Sequence, residues 1–188
     1  MDFELKIIQF LQAGRNPFFD VSFQVISIVG SALGVVALAL ALLLFRKKLC
    51  FWYLISYALV FLTITITKDL VRRPRPFSVC DQIENIGDAV SEFSFPSGHS
   101  ACATAIAIFL SIFLFQIFKD KPTRVGIVIS AVLYVGLVCL SRMYLGKHYL
   151  TDVLAGVAIS AVGCGIGIIL MKVVQKRRKL NEDKSSDK

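Results

Sequence analysis

Five long runs without a single Asp, Glu, Lys, Arg or His constrain the fold of this chain more than any other feature of its sequence. They are Val21–Phe45, Leu49–Thr67, Ser100–Phe118, Val125–Ser141 and Val153–Met171. An α-helix rises about 1.5 Å per residue, so about 17 to 25 apolar residues cross the hydrocarbon core of a bilayer. Because backbone groups in lipid must be hydrogen-bonded within their own segment, runs of this kind predict transmembrane helices.

The composition supports a membrane domain and argues against other classes. The 188 residues are 56% hydrophobic and only 18% charged, whereas about a quarter of the residues in a soluble domain are charged. The net charge of +8 does not predict a nucleic-acid partner, because most basic residues flank the apolar runs as topology signals do. Five cysteines show no paired spacing, which argues against a disulfide framework or a cysteine-ligated metal site.

The five runs predict an all-α membrane protein, with a bundle of about five transmembrane helices and an N-terminal interfacial helix. Residues 1–20 carry apolar side chains at helical spacing between polar ones, which predicts an amphipathic helix on the membrane surface. Residues 21–171 form the expected transmembrane domain, and residues 172–188 the expected basic, disordered cytoplasmic tail. Two Gly-x3-Gly pairs fit either a dimer face or close packing within the bundle, so the oligomeric state stays open.

The distribution of Lys and Arg predicts how the chain lies in the plasma membrane. Of the 21 basic residues, 13 lie in the loop 46–48, the loop 119–124 and the tail from Lys172. Short basic loops stay in the cytoplasm. The tail is therefore expected inside, and the loops 68–99 and 142–152 are expected on the extracytoplasmic face.

Ionisable residues on that outward side indicate a functional site. Both histidines of the chain, His99 and His148, lie there. Asp152 follows His148 by four residues, so its carboxylate can accept a hydrogen bond from one imidazole nitrogen and leave the other unprotonated. Four cations crowd the outward end of the second run against the usual bias: Lys68, Arg72, Arg73 and Arg75. They indicate an anionic ligand, or else side chains that reach lipid phosphates.

Three sequence blocks resemble the signature of the phosphatidic acid phosphatase type 2 family. The blocks are Lys68-x6-Arg75-Pro76, Pro96-Ser97-Gly98-His99 and Ser141-Arg142-x5-His148-x3-Asp152. The resemblance extends over residues 68–152 and includes every signature position in order. The same superfamily contains vanadium haloperoxidases, but those members are soluble, and a chain with five apolar spans is less similar to them.

The resemblance implies a role for each of these residues. His148 would attack phosphorus and form a phosphohistidine, Asp152 would orient its imidazole, and His99 would protonate the leaving oxygen and then activate water. The phosphate oxygens would be bound by Lys68, Arg75, Ser97, Gly98 and Arg142. Arg72 and Arg73 are candidates for additional headgroup contacts. Such a site would require no metal and no cofactor, because fixed cations neutralise the phosphate.

The expected function is hydrolysis of a lipid phosphate monoester or diphosphate in the bilayer. The outward site suits undecaprenyl diphosphate, phosphatidylglycerophosphate or phosphatidate, and the two additional arginines favour a diphosphate. The expected partners are this lipid substrate and the bilayer itself. The alternative is a non-catalytic membrane transporter or binding protein for anionic lipids, which would be expected to carry charges or broken helices near the middle of the membrane.

Overall fold

A computed structural model describes residues 2–87 and 93–186 of the chain. These ranges contain helical segments and no β-strand, which confirms the all-α prediction. The segments are α1 Asp2–Ala13, α2 Pro17–Val29, α3 Ala32–Phe45, α4 Lys47–Val71, α5 Pro76–Val79, α6 Gly98–Ile117, α7 Lys121–Tyr144 and α8 Leu150–Ser186.

Four stretches within the described ranges are long and apolar enough to cross a membrane. They are Lys47–Val79, Gly98–Ile117, Lys121–Tyr144 and Leu150–Glu182. Helices α2 and α3 meet the same criterion only together, and a bend of 45° separates them. The number of spans is four, or five if the bent pair is one span, which agrees with the prediction of about five. The chain is a multi-pass integral membrane protein.

The first apolar run, Val21–Phe45, is not the single helix that its hydropathy predicts. Helix α2 ends at Gly30, and the Ser31 side chain caps α3 by accepting a hydrogen bond from the Leu33 N–H at 3.1 Å. A Cβ atom on Gly30 would lie 2.5 Å from the Val138 side chain, so the break packs closely on α7. Glycine and serine interrupt the helix without adding charge, and for this reason hydropathy alone did not detect the break.

The C-terminal tail differs from the prediction as well. Helix α8 continues through Lys172 to Ser186, so the expectation of disorder is wrong for the described part of the tail, while residues 187–188 lie outside the described residues. Six of the residues 172–186 are Lys or Arg, which are good helix formers even where no apolar face directs packing.

The Gly-x3-Gly pair on α8 serves packing within the bundle. A Cβ atom on Gly163 would lie 2.7 Å from the Val60 side chain of α4, and one on Gly167 would overlap the Ser56 hydroxyl of the same helix. Because α4 approaches α8 this closely, the glycine pair is used inside the bundle and provides no evidence for a dimer face.

The N-terminal helix α1 packs against one end of the bundle. Ile8 is fully buried in a cluster with Ile83, Met143 and Tyr149. Gln12 donates from Nε2 to the Tyr144 carbonyl at 2.8 Å. Helix α1 therefore covers the end of the bundle to which the loops 72–97 and 145–149 belong.

Candidate active site

The three sequence blocks meet at the end of the bundle that α1 covers. Helix α4 ends there, while α6 and α8 begin there. The Ser97 N–H donates to the Asp152 carbonyl at 2.9 Å, which joins the second block directly to the third. The Ser97 hydroxyl is fully buried and caps α6 by accepting a hydrogen bond from the Ser100 N–H at 3.4 Å. The start of α6 is therefore held in place against α8.

His148 and Asp152 lie at the centre of this arrangement, and both are buried. The imidazole Nδ1 is 3.6 Å from Asp152 Oδ2, slightly beyond hydrogen-bond distance, and it has no other hydrogen-bond partner among the described residues. On the other side of the ring, Arg75 Nη1 is 3.4 Å from Nε2. A guanidinium can only donate, so Nε2 is the acceptor and the ring proton belongs on Nδ1, facing Asp152.

The surroundings of His148 keep its imidazole neutral. Burial is the main cause that lowers the pKa of His148 well below 6.5, and the positive charges of Arg142, Arg75 and Lys68 lower it further. A neutral imidazole with an unprotonated Nε2 is the form that can act as a nucleophile.

Two buried arginines, Arg75 and Arg142, lie close enough to His148 to interact with it electrostatically. Arg75 donates from Nη1 to the Lys147 carbonyl at 2.9 Å. Arg142 donates from Nη1 to the Ser27 hydroxyl of α2 at 2.5 Å, while its buried Nε has no partner among the described residues. Leaving a buried donor unpaired costs free energy, and a phosphate oxygen would satisfy it.

An apolar cleft of about 530 Å³ runs between α3, α4 and α6. Lys68, Gly98 and His99 are at its polar end. The apolar walls include Tyr57, Val60, Phe61, Ile64 and Cys102. A phosphate bound at the polar end would leave its apolar chain room along these walls.

His99 and Gly98 bring the second block into this pocket. His99 is close enough to Arg142, His148 and Arg75 to interact with them electrostatically, so the two histidines share one site. A Cβ atom on Gly98 would meet no other atom within 4 Å. Glycine at this position therefore leaves open space beside the N-terminus of α6, where backbone N–H groups favour an anion.

Arg73, for which the sequence predicts a headgroup contact, is bound by carboxylates of the protein. Its Nη1 donates to Asp152 Oδ1 at 2.6 Å and its Nη2 to Glu4 Oε2 at 2.7 Å. The guanidinium also lies 3.7 Å from the centre of the Tyr149 ring. These contacts hold Arg73 against protein groups, and they do not favour the headgroup contact predicted for it, which stays a prediction. Arg72 is exposed, and its headgroup contact stays a prediction.

Three residues at or near the site escaped the sequence reasoning. Lys147 is buried beside His148 and holds Arg75 through its carbonyl, Ser27 binds Arg142, and Glu4 binds Arg73. Only Lys147 had a sequence signal, since it lies next to His148 in the third block. Glu4 and Ser27 lie far upstream of the first block, and no spacing rule connects them to it.

Comparison with known proteins shows a family match and several related phosphatases. A family model, the PAP2 superfamily, matches residues 49–179 and so includes all three blocks. Human sphingosine-1-phosphate phosphatase 2 is 36% identical over 117 residues, which cover 62% of this chain and 27% of that protein. Phosphatidylglycerophosphatase B of Bacillus subtilis (strain 168) is 42% identical over 71 residues, which cover 37% of this chain and 34% of that protein.

The fold also matches a solved structure over most of its length. The crystal structure of Aquifex aeolicus LpxE superimposes with a TM-score of 0.75 at 26% identity, covering 88% of this chain and 94% of that chain. By contrast, the matched segments make up only about a quarter to a third of the two curated relatives, 27% and 34%.

Proposed function

The chain belongs to the PAP2 superfamily, and from that premise we propose that it is an integral-membrane lipid phosphate phosphatase with a phosphohistidine intermediate. The observation that carries the proposal is that His99, at the polar end of an apolar cleft, interacts with His148 and with two buried arginines, Arg75 and Arg142. This combination suits a substrate with one phosphate and a long apolar chain.

In the first step, His148 Nε2 attacks phosphorus in line with the lipid oxygen. The P–N bond forms as the P–O bond breaks, and the leaving oxygen takes its proton from His99. Lys68, Arg75 and Arg142 bind the equatorial oxygens, where the transition-state charge is spread. The negative charge of Asp152 stabilises the imidazolium that His148 becomes once it carries the phosphoryl group.

In the second step, water releases the phosphate. His99, now neutral, takes a proton from water as the water oxygen attacks phosphorus. The P–N bond breaks, its electron pair returns to His148 Nε2, and inorganic phosphate leaves. Because His99 regains the proton that it lost in the first step, the site returns to its starting state.

The substrate class that we propose is a lipid phosphate monoester. The preference for a diphosphate depended on Arg72 and Arg73 as additional cations, and Arg73 is held by Glu4 and Asp152. Lys68, Arg75 and Arg142 are enough to neutralise one phosphate group. The names of the two relatives, sphingosine-1-phosphate phosphatase and phosphatidylglycerophosphatase, also refer to lipid monoesters. Undecaprenyl diphosphate becomes the second candidate.

We place the site on the extracytoplasmic face of the plasma membrane and the C-terminus in the cytoplasm. Support comes from the basic residues 46–48, 119–124 and 172–179, which the positive-inside bias assigns to the cytoplasm. The site cations are exceptions to that bias because the proposed ligand, and not topology, accounts for them.

The test is phosphate release by the purified protein in detergent. Sphingosine 1-phosphate, phosphatidate and phosphatidylglycerophosphate are compared with undecaprenyl diphosphate by kcat/KM, with His148→Ala as the inactive control. We expect a monoester to give the highest value, vanadate to inhibit, and EDTA to have no effect. Lipid binding without phosphate release would favour the transporter or binding protein, and activity lost to EDTA and restored by Mg²⁺ would contradict the mechanism.

A further inference from the structure

We propose that Glu4 of helix α1 is a positioning residue, which acts through Arg73 on Asp152 and so couples catalysis to the docking of α1. The inference rests on the proposed function, because the position of Asp152 matters for turnover only if His148 is the nucleophile. It assigns a role to a part of the chain that lies outside all three sequence blocks.

Arg73 joins two carboxylates that come from opposite ends of the sequence. Its two terminal nitrogens donate to Glu4 at 2.7 Å and to Asp152 at 2.6 Å, and the three side chains are 15%, 19% and 0% exposed for Glu4, Arg73 and Asp152. Partial burial reduces solvent screening, so these charges interact more strongly than a surface pair does.

The position of Asp152 is fixed through both of its oxygens. Oδ1 accepts from Arg73, and Oδ2 accepts from the Tyr149 N–H at 2.9 Å. The Arg73 guanidinium stacks on the Tyr149 ring. A shift of Arg73 would therefore move the carboxylate that faces His148 Nδ1.

Glu4 also binds the first turn of α8 directly. Its Oε1 accepts from both the N–H and the hydroxyl of Thr151 at 2.8 Å. Thr151 precedes Asp152, and its N–H is one of the donors that a helix start leaves without an intrahelical acceptor. Burial alone would raise the pKa of Glu4, but hydrogen bonds from Thr151 and Arg73 outweigh it and hold that pKa below its ordinary value.

The charges explain why an acid is needed at position 4. With Glu4 ionised, one arginine lies between two carboxylates, so the group of Glu4, Arg73 and Asp152 carries a net charge of −1 beside His148. Without the charge of Glu4, Arg73 would neutralise Asp152 alone, and less negative charge would be left to offset the site cations and stabilise the imidazolium. We therefore expect Glu4 to affect the chemical step and not lipid binding, since Glu4 is not among the residues that line the cleft.

Helix α1 has other attachments, which allow positioning to be separated from anchoring. Ile8 is fully buried, Gln12 is hydrogen-bonded to the Tyr144 carbonyl, and Arg15 forms an ion pair with Glu84. None of these contacts includes Arg73 or Asp152. Loss of the Glu4 charge should therefore leave α1 docked.

The test is Glu4→Gln, which keeps the side-chain length and can still accept from Thr151 but presents an amide to Arg73. We expect kcat to fall about tenfold, the lower end of the effect seen for residues that orient metal ligands, with KM unchanged and with the unfolding temperature lowered only slightly, because α1 keeps its other attachments. The matched control is Glu84→Gln, which removes the ion pair of Arg15, just after the end of α1, and should leave kcat at the wild-type value. In an Arg73→Gln background, Glu4→Gln should cause no further loss.

Three results would overturn the inference. They are a wild-type kcat for Glu4→Gln, a raised KM at unchanged kcat, and equal losses for Glu4→Gln and Glu84→Gln, which would show that α1 only anchors the fold. Failure of the wild type to release phosphate from any lipid would instead refute the proposed function, and the inference with it.

Discussion

The two histidines differ in their surroundings, and this difference supports the roles that we propose for them. His148 is buried, and its Nε2 faces Arg75 while its Nδ1 faces Asp152. His99 is only partly buried and lines the cleft in which the lipid oxygen would lie. The buried ring suits a nucleophile that must stay neutral, and the ring at the cleft suits proton exchange with the leaving group and water.

Substituting the histidines separates the two steps. His148→Ala should reduce turnover by several powers of ten, because it removes the group that we propose as the phosphoryl acceptor. His99→Ala should also be severely impaired, but with a good leaving group it should accumulate an acid-labile phosphohistidine. A radioactive phosphate monoester measures both the turnover and the amount of phosphohistidine that accumulates. Phosphoenzyme in His148→Ala would show that His148 is not the nucleophile.

The pH dependence follows from the depressed pKa of His148. Burial and neighbouring cations lower this pKa below 6.5, so the nucleophile stays unprotonated as the pH falls through 6.5 and is lost only at lower pH. The acid limb of kcat/KM that belongs to His148 should therefore lie below pH 6.5. A pH–rate profile of the purified protein measures it. An acid limb centred at or above 6.5 would contradict the electrostatic description of the site.

The residues of the site were predictable to the extent that they lie in the three blocks. The spacing of four residues predicts that His148 and Asp152 face each other, and the structure brings these side chains together. Spacing could not reveal Glu4, because the contact between Glu4 and Arg73 forms only when α1 folds over the bundle. For the same reason Arg73 was assigned to the headgroup, since the sequence shows a charge but not its partner.

At the scale of helices, the site depends on a close approach between α6 and α8. A Cβ atom on Gly156 of α8 would overlap the carbonyl oxygen of Ser97 at the start of α6. Ser97 belongs to the second block, and Gly156 lies one helical turn after Asp152 of the third. The Ser97 carbonyl belongs to the backbone, so it cannot move away from an added methyl group as a flexible side chain could. Gly156 therefore sets the distance between the second and the third block.

Gly156→Ala should lower both stability and kcat. Forcing an extra methyl group into close packing costs about 1–3 kcal/mol, which exceeds the gain in helix propensity of up to about 1 kcal/mol. The matched control is Gly165→Ala on the same helix, where a Cβ would meet no atom within 4 Å. Thermal unfolding in detergent and phosphate release measure the two effects. Equal unfolding temperatures and equal kcat values for the two variants would show that the close approach of α6 and α8 affects neither stability nor activity.

The helices were predictable where apolar runs end at charges, as at Arg46 and Lys119. The prediction failed where a helix breaks without a charged residue, and where a helix continues past charged residues. Gly30 and Ser31 break the first run without charge, and α8 continues past Lys172 because charged helix formers need no apolar partner. In both cases the backbone geometry determines where the helix breaks or ends, and the hydropathy of the sequence contains no information about that geometry.

At the scale of the whole molecule, the polar groups are divided between two ends. Helix α1 and the three blocks are at one end, whereas Lys47 and Lys48 lie beside Arg178 and Lys179 around one cavity at the other. Helices α2 and α3 connect α1 to Arg46, so the bent pair crosses from one end to the other once. Counting the pair as one span gives five spans and puts the termini on opposite sides.

This division leads to a labelling prediction, because Cys80 and Asp81 lie at the end of the bundle that carries the site. Cys80 is partly buried, with its Sγ 3.5 Å from Gln9 Nε2 of α1, whereas Asp81 is exposed. Cys50, Cys102 and Cys164 are buried. A membrane-impermeant maleimide applied to intact cells should therefore react slowly with Cys80 and rapidly with Asp81→Cys.

The control for that prediction is a cysteine at the opposite end. Lys47→Cys is exposed at the start of α4, and in a Cys80→Ala background it should react only after the membrane is permeabilised. Asp81→Cys in the same background should react before permeabilisation, since the positive-inside bias puts the loop 68–99 outside. The reverse pattern would place the pocket in the cytoplasm. The phosphatase chemistry would be unaffected, but the substrate would then have to be a lipid phosphate of the inner leaflet.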